Sequence, residues 1–103
     1  MKYIFTTEEM IKALASTNNI LVRKMAKRII EKETTIEEEL KMCGGFMKKV
    51  FAGDYTGAFG SADVHNKAAI LRYLHRNRHT EIYLELYDSY YGHSPDQNEI
   101  EFQ

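Results

Sequence analysis

The sequence predicts an all-α fold, a small single-domain bundle of four to five helices. Apolar residues recur at helical spacing along most of the chain, and several segments begin with helix-capping residues. The chain has 103 residues and is 44% hydrophobic, which is enough for one core without disulfides or metals. We therefore expect a helical domain over residues 1–92 and a disordered acidic tail over residues 93–103.

The first two helices carry clear start and stop signals. Thr6 and Glu9 have the spacing of a capping box, and Phe5 and Met10 flank them as a hydrophobic staple. This helix should end near Thr17. A second helix is expected over 20–32, because its apolar residues fall on one face. These apolar residues are Val22, Met25, Ala26, Ile29 and Ile30.

A long central helix is predicted over residues 34–52. Its apolar residues fall on one helical stripe, and its acids lie near the start and its lysines near the end, as the helix dipole favours. The stripe consists of Ile36, Leu40, Cys43, Met47 and Val50. A threonine cap starts the helix, and Gly53 follows its last turn. The alternative is a break at Gly44 and Gly45, since glycine disfavours a helix interior.

The second half of the chain is interpreted as a loop followed by a helical hairpin. Residues 53–62 contain three glycines and no periodicity, so we expect a connector whose Tyr55 and Phe59 rings pack on the core. Asp63 should cap the hairpin, which spans 63–91 and turns near 77–79. In 81–91, alternating apolar residues also fit a strand, but a strand would need a pairing partner. We favour a helix there.

Charge and composition limit the functions that this chain can have. The net charge of −1 and the pI near 6.4 are not those of a dedicated nucleic-acid binder. One cysteine excludes an internal disulfide, and no apolar run approaches the roughly 20 residues that a membrane span needs. We expect a cytoplasmic protein that does not enter membranes.

No residue pattern indicates catalysis or a bound cofactor. His75 and His79 have i, i+4 spacing, but arginines adjoin them and a third metal ligand is not near in sequence. The segment GDYTGAFG lacks the lysine of a phosphate-binding loop. Cys43 lies on an apolar stripe without a basic neighbour on that face to stabilise a thiolate. We therefore predict a non-enzyme with no catalytic residue, no metal and no cofactor.

The leading functional hypothesis is a protein-interaction module, an adaptor or inhibitor, with self-association as a dimer included in the hypothesis. Tyrosine combines apolar area with a polar tip and is enriched at interfaces. Four tyrosines lie within nine residues of the last helix, more than a small core readily buries. The predicted interface consists of Tyr83, Tyr87, Tyr90 and Tyr91.

The alternative hypothesis is a DNA- or RNA-binding accessory protein. Residues 1–30 carry six lysines or arginines against two glutamates, and a second basic segment spans 63–79. Basic helix faces can follow a phosphate backbone. The predicted nucleic-acid contacts are Arg23, Lys24, Lys27, Arg28, Arg72 and Arg76.

Overall fold

The computed structural model describes residues 5–93, and within this range all regular secondary structure is α-helical. The prediction of an all-α fold is therefore confirmed, but residues 5–93 form seven helices rather than four or five. They are α1 (Thr7–Leu14), α2 (Ile20–Ile30), α3 (Ile36–Leu40), α4 (Gly45–Phe51), α5 (Tyr55–Ser61), α6 (Val64–Arg76) and α7 (Thr80–Tyr91). The tail predicted for 93–103 lies outside the described residues except for His93.

The prediction of one long helix over 34–52 is wrong. The segment divides into α3 and α4, and residues 41–44 between them are not helical. Gly44 has an extended backbone, with φ −83° and ψ −174°, and serves as the N-cap of α4. Each glycine inside a helix costs about 1 kcal/mol relative to alanine, so two adjacent glycines make this the weakest point of the segment. The alternative of a break at the glycine pair was the better interpretation.

The prediction of a loop over 53–62 is also wrong for most of the segment. Asp54 accepts a hydrogen bond from the Gly57 N–H at 2.9 Å and caps the short helix α5. Ala58 and Phe59 lie on its buried side, and Tyr55 packs partly against the core as predicted. This helix was not predicted because its glycines have no side chain and so interrupt the periodic pattern of apolar residues. Gly53 does end the preceding helix, with φ +79°.

The centre of the bundle is α1, not the segment 34–52. This eight-residue helix packs against α2, α4 and α6, and Met10, Ile11, Ala13 and Leu14 on it are buried. A hydrogen bond from the Thr7 hydroxyl to the Val50 carbonyl, 3.0 Å long, ties α1 to the end of α4. The predicted hairpin forms from α6 and α7, and it packs on α1 and α5 rather than on a long central helix.

Several predicted helix starts are confirmed, whereas α1 ends at Leu14 rather than near Thr17 and α2 ends at Ile30 rather than at residue 32. Thr6 caps α1, Asp63 caps α6, and residues 81–91 belong to a helix rather than a strand. The left-handed backbone of Arg78, with φ +59°, makes the turn between α6 and α7. Val64 is exposed at the first position of α6.

A hydrogen-bonded network ties the α1–α2 turn to the start of α6. The buried Thr17 hydroxyl donates to Asn66 Oδ1 at 2.8 Å and accepts from the Asn19 N–H at 3.2 Å. Asn19 Nδ2 in turn donates to Asp63 Oδ2 at 2.6 Å. This network fixes how α2 leaves α1, and so it positions both surfaces described below.

Candidate functional site

An open groove of about 340 Å³ runs between α2 and the α3–α4 junction. Apolar and sulfur-containing side chains form most of its lining. The lining residues are Leu21, Val22, Met25, Arg28, Glu39, Met42, Cys43, Gly44 and Met47. We call this feature the methionine groove.

Two large apolar side chains stand at the edge of the methionine groove with most of their surface in solvent. Leu21 is 81% exposed and Met42 is 87% exposed. Met42 lies in the non-helical segment 41–44, after α3 has ended at Leu40. Leu21 lies on the face of α2 opposite the buried Ala26. Exposed apolar groups that gather around a concave surface are typical of interaction sites.

The charged groups of the methionine groove are paired with each other. Arg28 Nη2 and Glu39 Oε1 are 3.4 Å apart, and the Thr34 hydroxyl donates to the other Glu39 oxygen at 3.0 Å. Outside the groove lining, Lys41 at the C-cap of α3 has its Nζ 3.7 Å from Glu38 Oε1. The groove therefore offers a partner mainly an apolar, methionine-rich surface. Methionine suits such a surface because its flexible thioether adapts to different shapes.

Cys43 belongs to the methionine groove rather than to the buried core. Its side chain is half-buried, and the thiol points to the Leu40 carbonyl oxygen at 3.6 Å. It packs partly against the core and behaves as a small apolar residue.

The four tyrosines of the predicted interface occupy different environments. Tyr83 and Tyr87 are 2% and 4% exposed, so their rings lie in the core and leave little area for a partner. Tyr90 and Tyr91 are 38% and 49% exposed at the end of α7. The Tyr90 ring packs edge-on against Phe59, and Lys67 Nζ lies 4.6 Å from its centroid.

The predicted basic residues divide into two sets. Arg28 is in the methionine groove, paired with Glu39, and Lys24 is exposed on the outer side of α2. The other four residues flank α1. Arg23 Nη1 donates to the Thr17 carbonyl at 3.5 Å, and Arg72 Nη2 donates to the Ser16 carbonyl at 3.4 Å. Lys27 and Arg76 follow them by one helical turn on α2 and α6, and both are exposed.

The histidines considered as metal ligands serve other contacts. His79 Nε2 lies 3.3 Å from Glu9 Oε2, which links the α6–α7 turn to α1. The His75 ring lies 5.5 Å from the Tyr83 ring. Among residues 5–93, no three histidine, cysteine, aspartate or glutamate side chains gather as metal ligands would. None of the helices in that range has the length and apolar character to cross a bilayer.

The methionine groove was not found from the sequence. Leu21 and Met42 belong to segments that were interpreted as amphipathic helices, where apolar residues are expected to face inward. One signal was available, because Leu21 and Met42 fall outside the apolar stripes assigned to 20–32 and 34–52. Two such residues far apart in sequence predict a surface only when the fold brings them together.

Comparisons with models of known protein families, with curated proteins and with solved structures give no significant match to this chain. Its function must therefore be argued from the surfaces described above.

Proposed function

We propose that this chain is a small non-enzymatic protein-interaction module, acting in the cytoplasm as an adaptor or inhibitor. The observation that supports this proposal best is the exposure of Leu21 and Met42 above the methionine groove. A partner would insert apolar side chains between α2 and the α3–α4 junction, as in helix-in-groove recognition.

The energetics of covering these two side chains support a specific interaction. Burying a leucine or methionine side chain stabilises by about 1.5–3 kcal/mol. Covering Leu21 and Met42 together would supply several kcal/mol, enough to act as the centre of an interface. The groove floor adds contacts from Met25 and Met47, whose positions in the bundle are already fixed.

Tyr90 and Tyr91 form a second exposed surface that a partner or a second copy could cover. Their rings lie 4.5 Å apart at the end of α7. The proposed interface for self-association is this pair rather than the whole set of four tyrosines, because Tyr83 and Tyr87 are buried.

The test compares three double variants with the wild-type chain. Leu21→Asp with Met42→Asp places charge in the methionine groove, Tyr90→Ser with Tyr91→Ser changes the end of α7, and Val64→Asp with Leu84→Asp is the control. The control residues are exposed apolar residues of α6 and α7 that lie outside the groove. Each purified protein is immobilised and incubated with lysate, and the proteins that it retains are compared. The mass of each purified protein is measured separately by size-exclusion chromatography with light scattering.

We expect the wild type and the control to retain a partner that the groove variant loses, with circular dichroism unchanged. Loss of a dimer only in the Tyr90 and Tyr91 variant would assign self-association to α7. The proposal fails if all four proteins retain the same proteins in the same amounts and remain monomeric.

A further inference from the structure

A surface separate from the methionine groove brings together cations from two distant parts of the sequence. Arg23 and Arg72 are 49 positions apart in the chain, yet they bind the adjacent carbonyls of Thr17 and Ser16. These carbonyls follow α1, at the end where the helix dipole is negative. This negative end offsets the repulsion between the two guanidinium groups and allows them to converge.

The two arginines extend into a row of four cations. Lys27 lies four residues after Arg23 on α2, and Arg76 lies four residues after Arg72 on α6. Residues four apart lie on the same helix face, with about 5–6 Å between their Cβ atoms. The row therefore runs along α2, crosses the end of α1 and continues along α6.

The charges of this row are not neutralised within the part of the chain that the structure describes. Ion pairs among residues 5–93 involve Arg28, Lys41 and His79, and none involves Arg23, Lys27, Arg72 or Arg76. The two arginines each use one N–H for a carbonyl, and a guanidinium has five N–H donors. The remaining donors can bind an anion in the forked geometry that suits phosphate.

We propose that Arg23, Lys27, Arg72 and Arg76 form one surface that binds the phosphate backbone of a nucleic acid. A repeated anion fits this row better than a single small ligand, because the four cations are spread over two helices, α2 and α6, and not gathered in a pocket. Phosphate contacts do not depend on base sequence, so the proposed binding is non-specific. It is independent of the protein-interaction proposal, since the row and the methionine groove share no residue.

The test measures binding of the purified full chain to fluorescein-labelled 20-base-pair DNA, and to the same strand as a single strand, by anisotropy. Four phosphate contacts on duplex DNA give a slope of about −3.6 in log affinity against log salt concentration. This slope corresponds to about a 100-fold loss of affinity between 50 and 200 mM salt. Scrambling the base sequence should leave the affinity unchanged.

Two variants and a matched control locate the surface. Lys27→Glu with Arg76→Glu should weaken binding by about 10- to 100-fold at 100 mM salt and reduce the slope by about 2. Arg23→Gln with Arg72→Gln should reduce the slope by a similar amount. Lys41→Glu with Lys48→Glu makes the same change in net charge as the first pair, on exposed residues of the α3–α4 region, and should retain most of the affinity.

Arg23 and Arg72 bind backbone carbonyls, so their substitution can also weaken the fold. The Lys27 and Arg76 variant tests the surface without this complication. Both side chains are exposed, and circular dichroism before and after substitution should agree. Equal weakening by the control pair would overturn the proposal, because it would show a general charge effect. Tighter binding to polyglutamate or to anionic vesicles than to DNA would also overturn it, as would an absence of DNA binding at 50 mM salt.

Discussion

At the scale of single residues, Tyr87 and Tyr90 show how two side chains on one helix face can differ. Tyr87 is 4% exposed and its ring packs against those of Tyr83 and Tyr91, whereas Tyr90 is 38% exposed. We predict that Tyr87→Ser destabilises the fold by about 3 kcal/mol, as for other large-to-small core substitutions. Tyr90→Ser should cost about 1 kcal/mol or less, the value of its ring and cation contacts. Urea unfolding followed by circular dichroism measures both, and equal costs would contradict this assignment of core and surface.

The sequence could predict the shared face of these tyrosines but not where burial ends. Tyr83, Tyr87 and Tyr90 fall within one narrow arc of α7 by helical periodicity. Whether each is buried depends on how far α5 and α6 extend beside α7, and these helices pack on α7 from elsewhere in the chain. A periodic pattern predicts the direction of a side chain but not how far the neighbouring helices extend beside it.

Asp63 gives a prediction about pH. Burial acts to raise the pKa of Asp63, but hydrogen bonds from the Asn66 N–H and the Asn19 amide, together with the nearby His65, lower it below its ordinary value of 3.8. A carboxyl whose pKa is lower in the folded state stabilises the fold above its unfolded pKa, and this contribution is lost as the pH falls through the folded pKa. Asp63→Ala also removes an N-cap and should cost about 0.5–2 kcal/mol near neutral pH.

The free energies of unfolding of wild type and Asp63→Ala should therefore converge as the pH falls below 3.8. Urea titrations at several pH values test this convergence. Asp63→Asn is the control, because asparagine keeps a capping oxygen but cannot ionise. A difference between wild type and Asp63→Ala that stays constant across the acid range would show that the charge of Asp63 contributes nothing to the cap.

At the scale of helices, we predict opposite effects on stability for alanine substitutions at two glycines near α5. Gly60 lies within α5, and a Cβ added there would meet no atom within 4 Å. Gly60→Ala should stabilise the protein by about 0.5–1 kcal/mol through helix propensity. Gly53 ends α4 with φ +79°, a conformation that strains any side chain, so Gly53→Ala should destabilise by about 1 kcal/mol. Thermal unfolding of the two variants tests the pair, and a change of the same sign in both would contradict it.

Whether a helix was predicted correctly depends on how local its sequence signal is. Thr6 and Asp63 were found because a cap is a local interaction, visible within four residues. One helix was favoured over a break between α3 and α4 because the stripe of apolar residues continues across Gly44 and Gly45. Helix α5 was missed because Ala58 and Phe59 are its two buried residues, too few to show a period, and a seven-residue helix depends on tertiary packing more than on propensity.

At the scale of the whole molecule, α1 is central although it is only eight residues long. Its position could not be deduced from periodicity, because α1 looks like any short amphipathic helix until its three neighbours are known. The methionine groove and the row of cations lie on different sides of α2. Since α2 is held to the bundle through α1 and the turn after it, both surfaces depend on the geometry of that turn.

The hydrogen bond between Thr17 and Asn66 holds this turn against α6, and it yields a prediction about the whole fold. Both side chains are buried, and the 2.8 Å bond joins residues 49 positions apart. Thr17→Val keeps the shape of the side chain but leaves Asn66 Oδ1 without its hydroxyl donor, so we expect a loss of about 1–3 kcal/mol in the free energy of unfolding. Asn66→Ala should cost a similar amount.

A double-mutant cycle separates this bond from the general cost of each substitution. If the two side chains act as one unit, the double variant should be less destabilised than the sum of the single variants, with a coupling of about 1 kcal/mol or more. Thr56→Val, on the exposed side of α5, is the matched control for the change of residue type and should be nearly neutral. Additive losses would mean that the turn is held by the packing of α1 on α6 instead. Because the Thr17 carbonyl also accepts from Arg23, a coupled result would link the stability of the turn to the row of cations beside it.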